Sequence, residues 1–380
     1  MSTAHPIRVA VFIDSITYGG AERATATLLR HLDRDRWSPV LFTHADPGIE
    51  RLREEVAAAG VPVRVVRRMP DGVKGALHAL QFARLLRLER VELLHVQLRW
   101  PLTAKFAFVA GLLAGVPAVL ATVHCVDPDV TMTRPTALQQ RLLGRRVSRY
   151  IGVSRYVQQK LARQLPWPAD RIVVVHNGVD RPPPAGASAP TLRATLAGPQ
   201  TAPVVFAASN LFPVKGVDVL IDAAALVPTA RFALAGEGPE RTALERQIAG
   251  LGIGDRVTLL GWREDAGDLM RAADVFVVSS RGDGLSLSLL EALAVGTPVV
   301  ITRVGGLPEA IEDGVNGLIV DPDDPPALAA AIRSLLADAA MRERLAAAGQ
   351  QAFTERFSAD AMAAGIEAVY ESVLQGHGSR

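Results

Sequence analysis

The sequence holds a single cysteine, Cys125, in 380 residues, so no intrachain disulfide can form and zinc sites that need several thiolates are excluded. One thiol fits a reducing, cytoplasmic setting. Lysine is almost as scarce: only Lys74, Lys105, Lys160 and Lys215 occur, and arginine carries the rest of the positive charge. No run of basic residues with interleaved aromatics is present, which argues against nucleic acid as a partner. The first strand-like run begins at Ile7, too early for a secretory signal, so the expectation is that nothing directs export. One uncharged stretch, residues 106–123, approaches the length of a membrane span. Gly111, Gly115 and Pro117 divide it into an apolar helix near 103–114 and a buried strand near 118–123. Nucleophile-elbow, Walker-loop and metalloprotease signatures are all absent.

What remains is the balance of a soluble globular protein, 49% apolar and 21% charged. The length favours two domains, each large enough for its own core. Net charge is only +2, but residues 1–180 carry 25 Lys and Arg against 15 Asp and Glu, while residues 181–380 carry 16 against 24. A basic first half beside an acidic second half points to an anionic partner for the first, a membrane surface or an acidic substrate.

Runs rich in Val, Ile, Leu and Phe recur at 8–13, 40–43, 61–66, 93–96, 118–123, 151–154 and 172–176, with helical patterns between them at 21–32, 49–59, 76–88 and 156–164. Continuous apolar strands alternating with helices predict a parallel sheet covered on both faces. Residues 181–203, which include Pro182, Pro183, Pro184 and Pro190, predict an exposed linker. Strand patterns resume at 204–209, 232–235, 257–260, 275–279, 299–302 and 318–320, and helix follows at 327–348 and 359–374. The fold class read from this pattern is α/β, two doubly wound, Rossmann-like domains facing a cleft. They span 1–185 and 200–357, and a helix in 358–380 is expected to cross back to the first domain. Ligands of open α/β sheets bind at the carboxyl ends of the strands, so chemistry is sought there.

Gly19 and Gly20 lie between the first strand and its helix, where they serve equally as a tight turn or as a close approach of backbone to phosphate. Asp283 and Glu291 flank a helix start, with Gly284, Leu285, Ser286, Leu287 and Ser288 between them. As an isolated pair they read as acids that favour a helix N-terminus; in a cleft they can hold hydroxyl-rich groups, and the intervening N–H groups can bind phosphate. Lys215, after the first strand of the second domain, is placed to neutralise a diphosphate or to sit solvated at the surface. His124 ends a buried strand. Gly236-Glu237-Gly238-Pro239 lacks the third glycine of a dinucleotide loop, and Asp127-Pro128-Asp129 and Asp321-Pro322-Asp323 read first as turns.

In order along the chain, Gly19-Gly20-Ala21-Glu22, His124, Val153-Ser154, Asn177-Gly178-Val179-Asp180, Lys215-Gly216, Gly236-Glu237-Gly238-Pro239, Gly305-Gly306-Leu307-Pro308-Glu309 and Asn316-Gly317 resemble glycosyltransferase family 4, whose members are retaining, nucleotide-sugar-dependent and of the GT-B fold. The spacing of Asp283 and Glu291 is similar to the family's E-x7-E element.

The resemblance implies an acceptor-binding first domain and a nucleotide-sugar-binding second domain that close on each other. It implies that Gly20 and Lys215 face the donor diphosphate, that His124 and Asp283 hold the donor sugar, and that Glu291 binds the ribose. Residues 284–288 would offer backbone N–H groups. No metal is implied and no cofactor beyond the donor, a UDP-sugar first and a GDP-sugar second. The acceptor would be a glycan or a lipid-linked molecule, and the protein would work in the cytoplasm or at the inner face of the membrane, in peripheral contact with anionic lipid. Asp283, where the family often has Glu, and Asn210, where it often has Arg, depart from the pattern; the first implies a different donor hydroxyl pattern, and the second leaves Lys215 more of the diphosphate charge. A nucleotide-sugar epimerase and a binding protein without transferase activity are the alternative readings.

Overall fold

The computed structural model describes residues 5–100, 103–125, 138, 141–164, 169–183, 189–198 and 201–376. By internal contacts the chain divides into two units, residues 1–178 with 359–380, and residues 179–358. The first is built on a seven-stranded sheet, β1 (Ile7–Ile13), β2 (Trp37–Thr43), β3 (Val63–Val65), β4 (Leu93–Leu98), β5 (Ala118–Val123), β6 (Arg149–Gly152) and β7 (Ile172–Val174). The order is β3-β2-β1-β4-β5-β6-β7, with every pair parallel.

Side chains of β1 alternate between two cores, as a strand's period of two requires. Ala10 and Phe12 join Phe42, Phe82 and Val96 on one face; Val9, Val11 and Ile13 join Leu29, Trp37 and Leu120 on the other. The second face is closed by the helix Ala359–Gln375, whose Met362, Ile366, Tyr370 and Val373 recur at helical spacing and belong to the same cluster.

The second unit carries a six-stranded sheet, β8 (Val204–Ala208), β9 (Arg231–Ala235), β10 (Val257–Gly261), β11 (Val275–Val278), β12 (Val299–Thr302) and β13 (Leu318–Val320), in the order β10-β9-β8-β11-β12-β13. Both sheets reverse direction of travel once, between β1 and β4 and between β8 and β11.

Three expectations are corrected. Residues 181–203 are not all linker, because Ala189–Ala197 form a helix that Arg193 fastens to Asp274 at 2.7 Å. The tail helix at 327–348 is two helices, Pro325–Ala337 and Ala339–Arg356; Asp338 separates them, its carboxylate accepting the Met341 N–H at 2.9 Å. The strand at 151–154 is shifted to Arg149–Gly152, and Ser154 instead caps the next helix, its hydroxyl accepting the Val157 N–H at 3.2 Å. The uncharged stretch 106–123 divides as the glycines and proline require: the helix Lys105–Ala114 stops at Gly115 in the left-handed region, and β5 follows. Among the described residues no helix is long and apolar enough to cross a membrane.

Candidate active site

In the second unit the sheet's reversal point brings the loops after β8 and β11 together. Lys215 ends the short turn Pro213–Lys215, and its ammonium lies 2.6 Å from the Asp283 carboxylate. Both side chains are largely covered, Asp283 to 11% exposure. The two loops are stitched by Arg281, whose guanidinium holds Asp218 through two hydrogen bonds of 2.7 and 2.8 Å and Asp323 at 2.6 Å. Its backbone N–H donates to the Val214 carbonyl at 2.7 Å. Burial alone would raise the Asp218 carboxyl, yet the hydrogen bonds and charge of Arg281 hold it below the usual carboxylate range.

Glycines set the spacing here. Gly216 has φ +59°, and a Cβ on it would come within 2.1 Å of the Ser279 carbonyl. Gly305 has φ +57°, and a Cβ there would come within 1.8 Å of the Asp283 carbonyl. The loop that carries Asp283 therefore rests directly on the backbone of the Gly305-Gly306 segment.

Beyond Asp283, Gly284, Leu285, Ser286 and Leu287 are buried, and the helix Leu287–Val295 begins with Ser286 as its cap, its hydroxyl accepting the Leu289 N–H at 3.4 Å and lying 3.1 Å from the Ser288 hydroxyl. Glu291 is half-buried one turn into that helix. Asn210 is half-buried in the loop after β8, where its carbonyl accepts the Phe212 N–H at 2.9 Å. The Gly236–Pro239 loop packs against it, since a Cβ on Gly236 or Gly238 would strike the Ser209 or Leu211 carbonyl at 1.8 or 2.4 Å. These two glycines are explained by that close packing.

In the first unit Gly19 precedes the helix Gly20–His31. Neither Gly19 nor Gly20 has positive φ, so the turn does not need glycine for its dihedrals. The Gly19 N–H donates to Glu22 Oε2 at 2.8 Å. Glu22 is 1% exposed, and its Oε1 has no hydrogen-bond partner among the described residues.

His124 follows β5 and is held by two bonds: its backbone N–H donates to the Leu98 carbonyl at 3.0 Å, and its Nε2 lies 2.8 Å from Gln97 Oε1. Burial pushes its imidazole down to about 4, so the ring is neutral at pH 7. Sequence reasoning passed over Gln97 and its neighbour His95, although polar residues at alternate positions of the apolar strand Leu93–Leu98 were the available signal. Arg281 was also missed, being hidden among many arginines. Asp127-Pro128-Asp129 lies outside the described residues, while Asp323 serves as an ion-pair partner of Arg281 in its turn.

The chain has counterparts among known proteins. Residues 18–181 match the family model Glycosyltransferase Family 4, and residues 188–352 match Glycosyl transferases group 1. The lipopolysaccharide core biosynthesis glycosyltransferase LpsE of Rhizobium meliloti is 40% identical over 170 residues, 45% of this chain and 50% of that protein. The chain spans about half the length of the curated relatives it matches.

Among solved structures, a glycosyltransferase from Rickettsia africae superposes with a TM-score of 0.87 at 18% identity, covering 98% of this chain and 99% of that one. Anabaena HepE, solved in complex with UDP, superposes with a TM-score of 0.83 at 24% identity, covering 96% and 100%. Two parallel-sheet units in this order, matched by one family model over residues 18–181 and by the other over 188–352, give the GT-B architecture, and the chain belongs to glycosyltransferase family 4.

Proposed function

We propose that the chain transfers a sugar, with retention at its anomeric carbon, from a nucleoside diphosphate sugar to a hydroxyl of a glycan or lipid-linked acceptor, in the synthesis of lipopolysaccharide or a related cell-surface glycan. The observation that carries this reading is the Lys215–Asp283 pair at the β8/β11 reversal point, immediately before a helix N-terminus whose N–H groups attract phosphate. Two likenesses support it: Anabaena HepE is solved with UDP and with UDP-glucose, and LpsE is named for lipopolysaccharide core biosynthesis.

In this reading Gly19 and Gly20 allow backbone to approach the diphosphate, and Lys215 with the N–H groups of 284–288 neutralises it. Asp283 and His124 hold sugar hydroxyls, Glu291 binds the ribose, and Asn210 borders the donor. The bond from the sugar C1 to the diphosphate oxygen breaks as the acceptor oxygen bonds to C1 on the same face. The acceptor's proton passes to the departing diphosphate oxygen. Negative charge grows on that leaving group, which is where preorganised donors such as Lys215 lower the barrier. The reading includes turnover without a divalent cation; loss of activity in EDTA restored by manganese or magnesium would contradict that part.

The place of action in this reading is the cytoplasmic face of an anionic membrane. The helix Val73–Leu88 contains no acidic residue, and Val73, Leu77, Leu80 and Leu88 are exposed on it to between 53% and 79%. Lys74, Arg84 and Arg87 are exposed beside them. An apolar face flanked by basic side chains suits the headgroup boundary of an anionic bilayer, each basic residue contributing about 1 kcal/mol. Arg64, in contrast, is occupied by Glu89 at 2.6 Å.

A thermal-shift screen of UDP-, GDP- and ADP-sugars tests the donor. A true donor at a hundred times its Kd stabilises by about 2.7 kcal/mol, and transfer to an acceptor extract should follow with that donor. Absence of both for every nucleoside diphosphate sugar would refute the proposal. Co-sedimentation with anionic and neutral liposomes across a salt series tests the membrane face, and equal binding to both lipids would remove it.

A further inference from the structure

The strand β4 is buried along its whole length, yet it carries two polar side chains, His95 at 0% and Gln97 at 3% exposure. Buried polar groups are retained where they are hydrogen-bonded, and these two form one chain of contacts. His95 Nδ1 lies 2.8 Å from the Tyr370 hydroxyl on the helix Ala359–Gln375, and His95 Nε2 lies 2.7 Å from Thr122 Oγ1. The amide nitrogen of Gln97 lies 3.2 and 3.4 Å from the two ring nitrogens of His95, while its amide oxygen faces His124 Nε2 at 2.8 Å. His95 stands edge-on to the Tyr370 ring at a centroid distance of 5.6 Å.

This arrangement fixes a proton. With the Gln97 amide oxygen turned toward His124, the His124 proton belongs on Nε2, because an amide oxygen only accepts hydrogen bonds, and Nδ1 is left as the acceptor. Packing does not impose the same orientation, because a cavity of about 20 Å³, room for one water, lies beside the ring between Gln97, Thr122, Asn177, Met362 and Ile366. The hydrogen bond has to do what packing leaves undone.

We propose that Gln97 is the positioning residue for His124, and that Tyr370 and Thr122 fix the His95 ring against which the Gln97 amide nitrogen rests, in the orientation that selects the His124 tautomer. The C-terminal helix is thereby part of the active site without touching substrate. The inference rests on the reading of His124 as a donor-sugar contact, and it concerns how that contact is set.

The experiment is nitrogen NMR of the histidine side chains in the full-length protein, with turnover of UDP-glucose measured alongside. The wild type is expected to show His124 as the Nε2–H tautomer. Gln97→Met, close in shape but without the acceptor, should abolish the single tautomer while the melting transition remains cooperative, and should lower kcat roughly ten- to hundredfold with little change in KM. Gln97→Glu, which keeps an oxygen at that position, should restore the Nε2–H signature. Tyr370→Phe should weaken the signature partially, and Gln97→Met with Tyr370→Phe should be no worse than Gln97→Met alone, as residues acting through one contact are not additive.

An unchanged His124 signature in Gln97→Met, or additive effects in the double variant, would overturn the proposal. His124→Ala separates the two levels: full activity in that variant would sink the donor-sugar role of His124 and leave the tautomer measurement to decide the role of Gln97.

Discussion

Lowering the pH should destabilise the first unit through two histidines, His95, which is fully buried, and His124, which is half-buried. Burial pushes the His124 imidazole down to about 4, and burial, with a smaller push from the neighbouring His124, takes His95 to about 3. In the unfolded chain both titrate near the ordinary value of 6.5. The unfolded state therefore binds more protons than the native state once the pH drops below about 6.5, and stability falls with pH down to the folded values. The stabilisation is complete above that ordinary value and is lost progressively on the way to 4 and then 3. Between pH 7.5 and pH 5 each ring contributes a loss of about 2 kcal/mol, and the two together about 4 kcal/mol.

The assay is urea denaturation at the two pH values, read by hydrogen exchange of backbone amides in β4 and β5, which report the first unit alone. His124→Gln should remove about 2 kcal/mol of the pH-dependent loss, independent of its effect at pH 7.5. If the variant loses as much stability between the two pH values as the wild type, burial does not hold His124 neutral and the reasoning fails.

Lys215→Ala should lower turnover by roughly ten- to a thousandfold, the range for a lost donor to developing negative charge; a near-normal rate would reduce Lys215 to a structural partner of Asp283. Glu291→Ala should weaken donor binding in titration calorimetry while leaving the melting temperature close to that of the wild type, and unchanged affinity would remove it from the site. Gly305→Ala should cost well over the roughly 1 kcal/mol of φ strain, because its Cβ meets the Asp283 carbonyl, whereas Gly314→Ala, also at positive φ but with nothing within 4 Å, should cost the strain alone. Equal melting shifts for the two would show that the Gly305 contact is relieved cheaply.

The alternation of apolar strands and helices was legible in the sequence because a strand buried on both faces admits few polar residues, and β5, β12 and β13 fall where that pattern put them. Capping set the element ends that propensity blurred: Ala-rich sequence runs evenly through 327–348, and only the Asp338 carboxylate on the Met341 N–H breaks it. The second unit's candidate residues were found from their place after strands, since Lys215 follows β8 and Asp283 follows β11. Their meeting was not legible, because it depends on β8 and β11 being neighbours across 66 residues of intervening chain, a matter of strand order.

The first unit shows the same division. His124 and the Gly19-Gly20 junction could be picked out by position at strand ends. Gln97 could not, because in sequence it is one polar residue in a strand, its partner His124 is 27 positions away, and the Tyr370 that holds the neighbouring His95 is 275 positions from that histidine. What the sequence by itself determined was the inventory: which segments are strands, which glycines end them, and which titratable residues follow. The tertiary structure decided which of those residues share a site, because hydrogen-bond partners and burial depend on which strands and helices pack together, and so it decided that a helix at the far end of the chain stands behind His124.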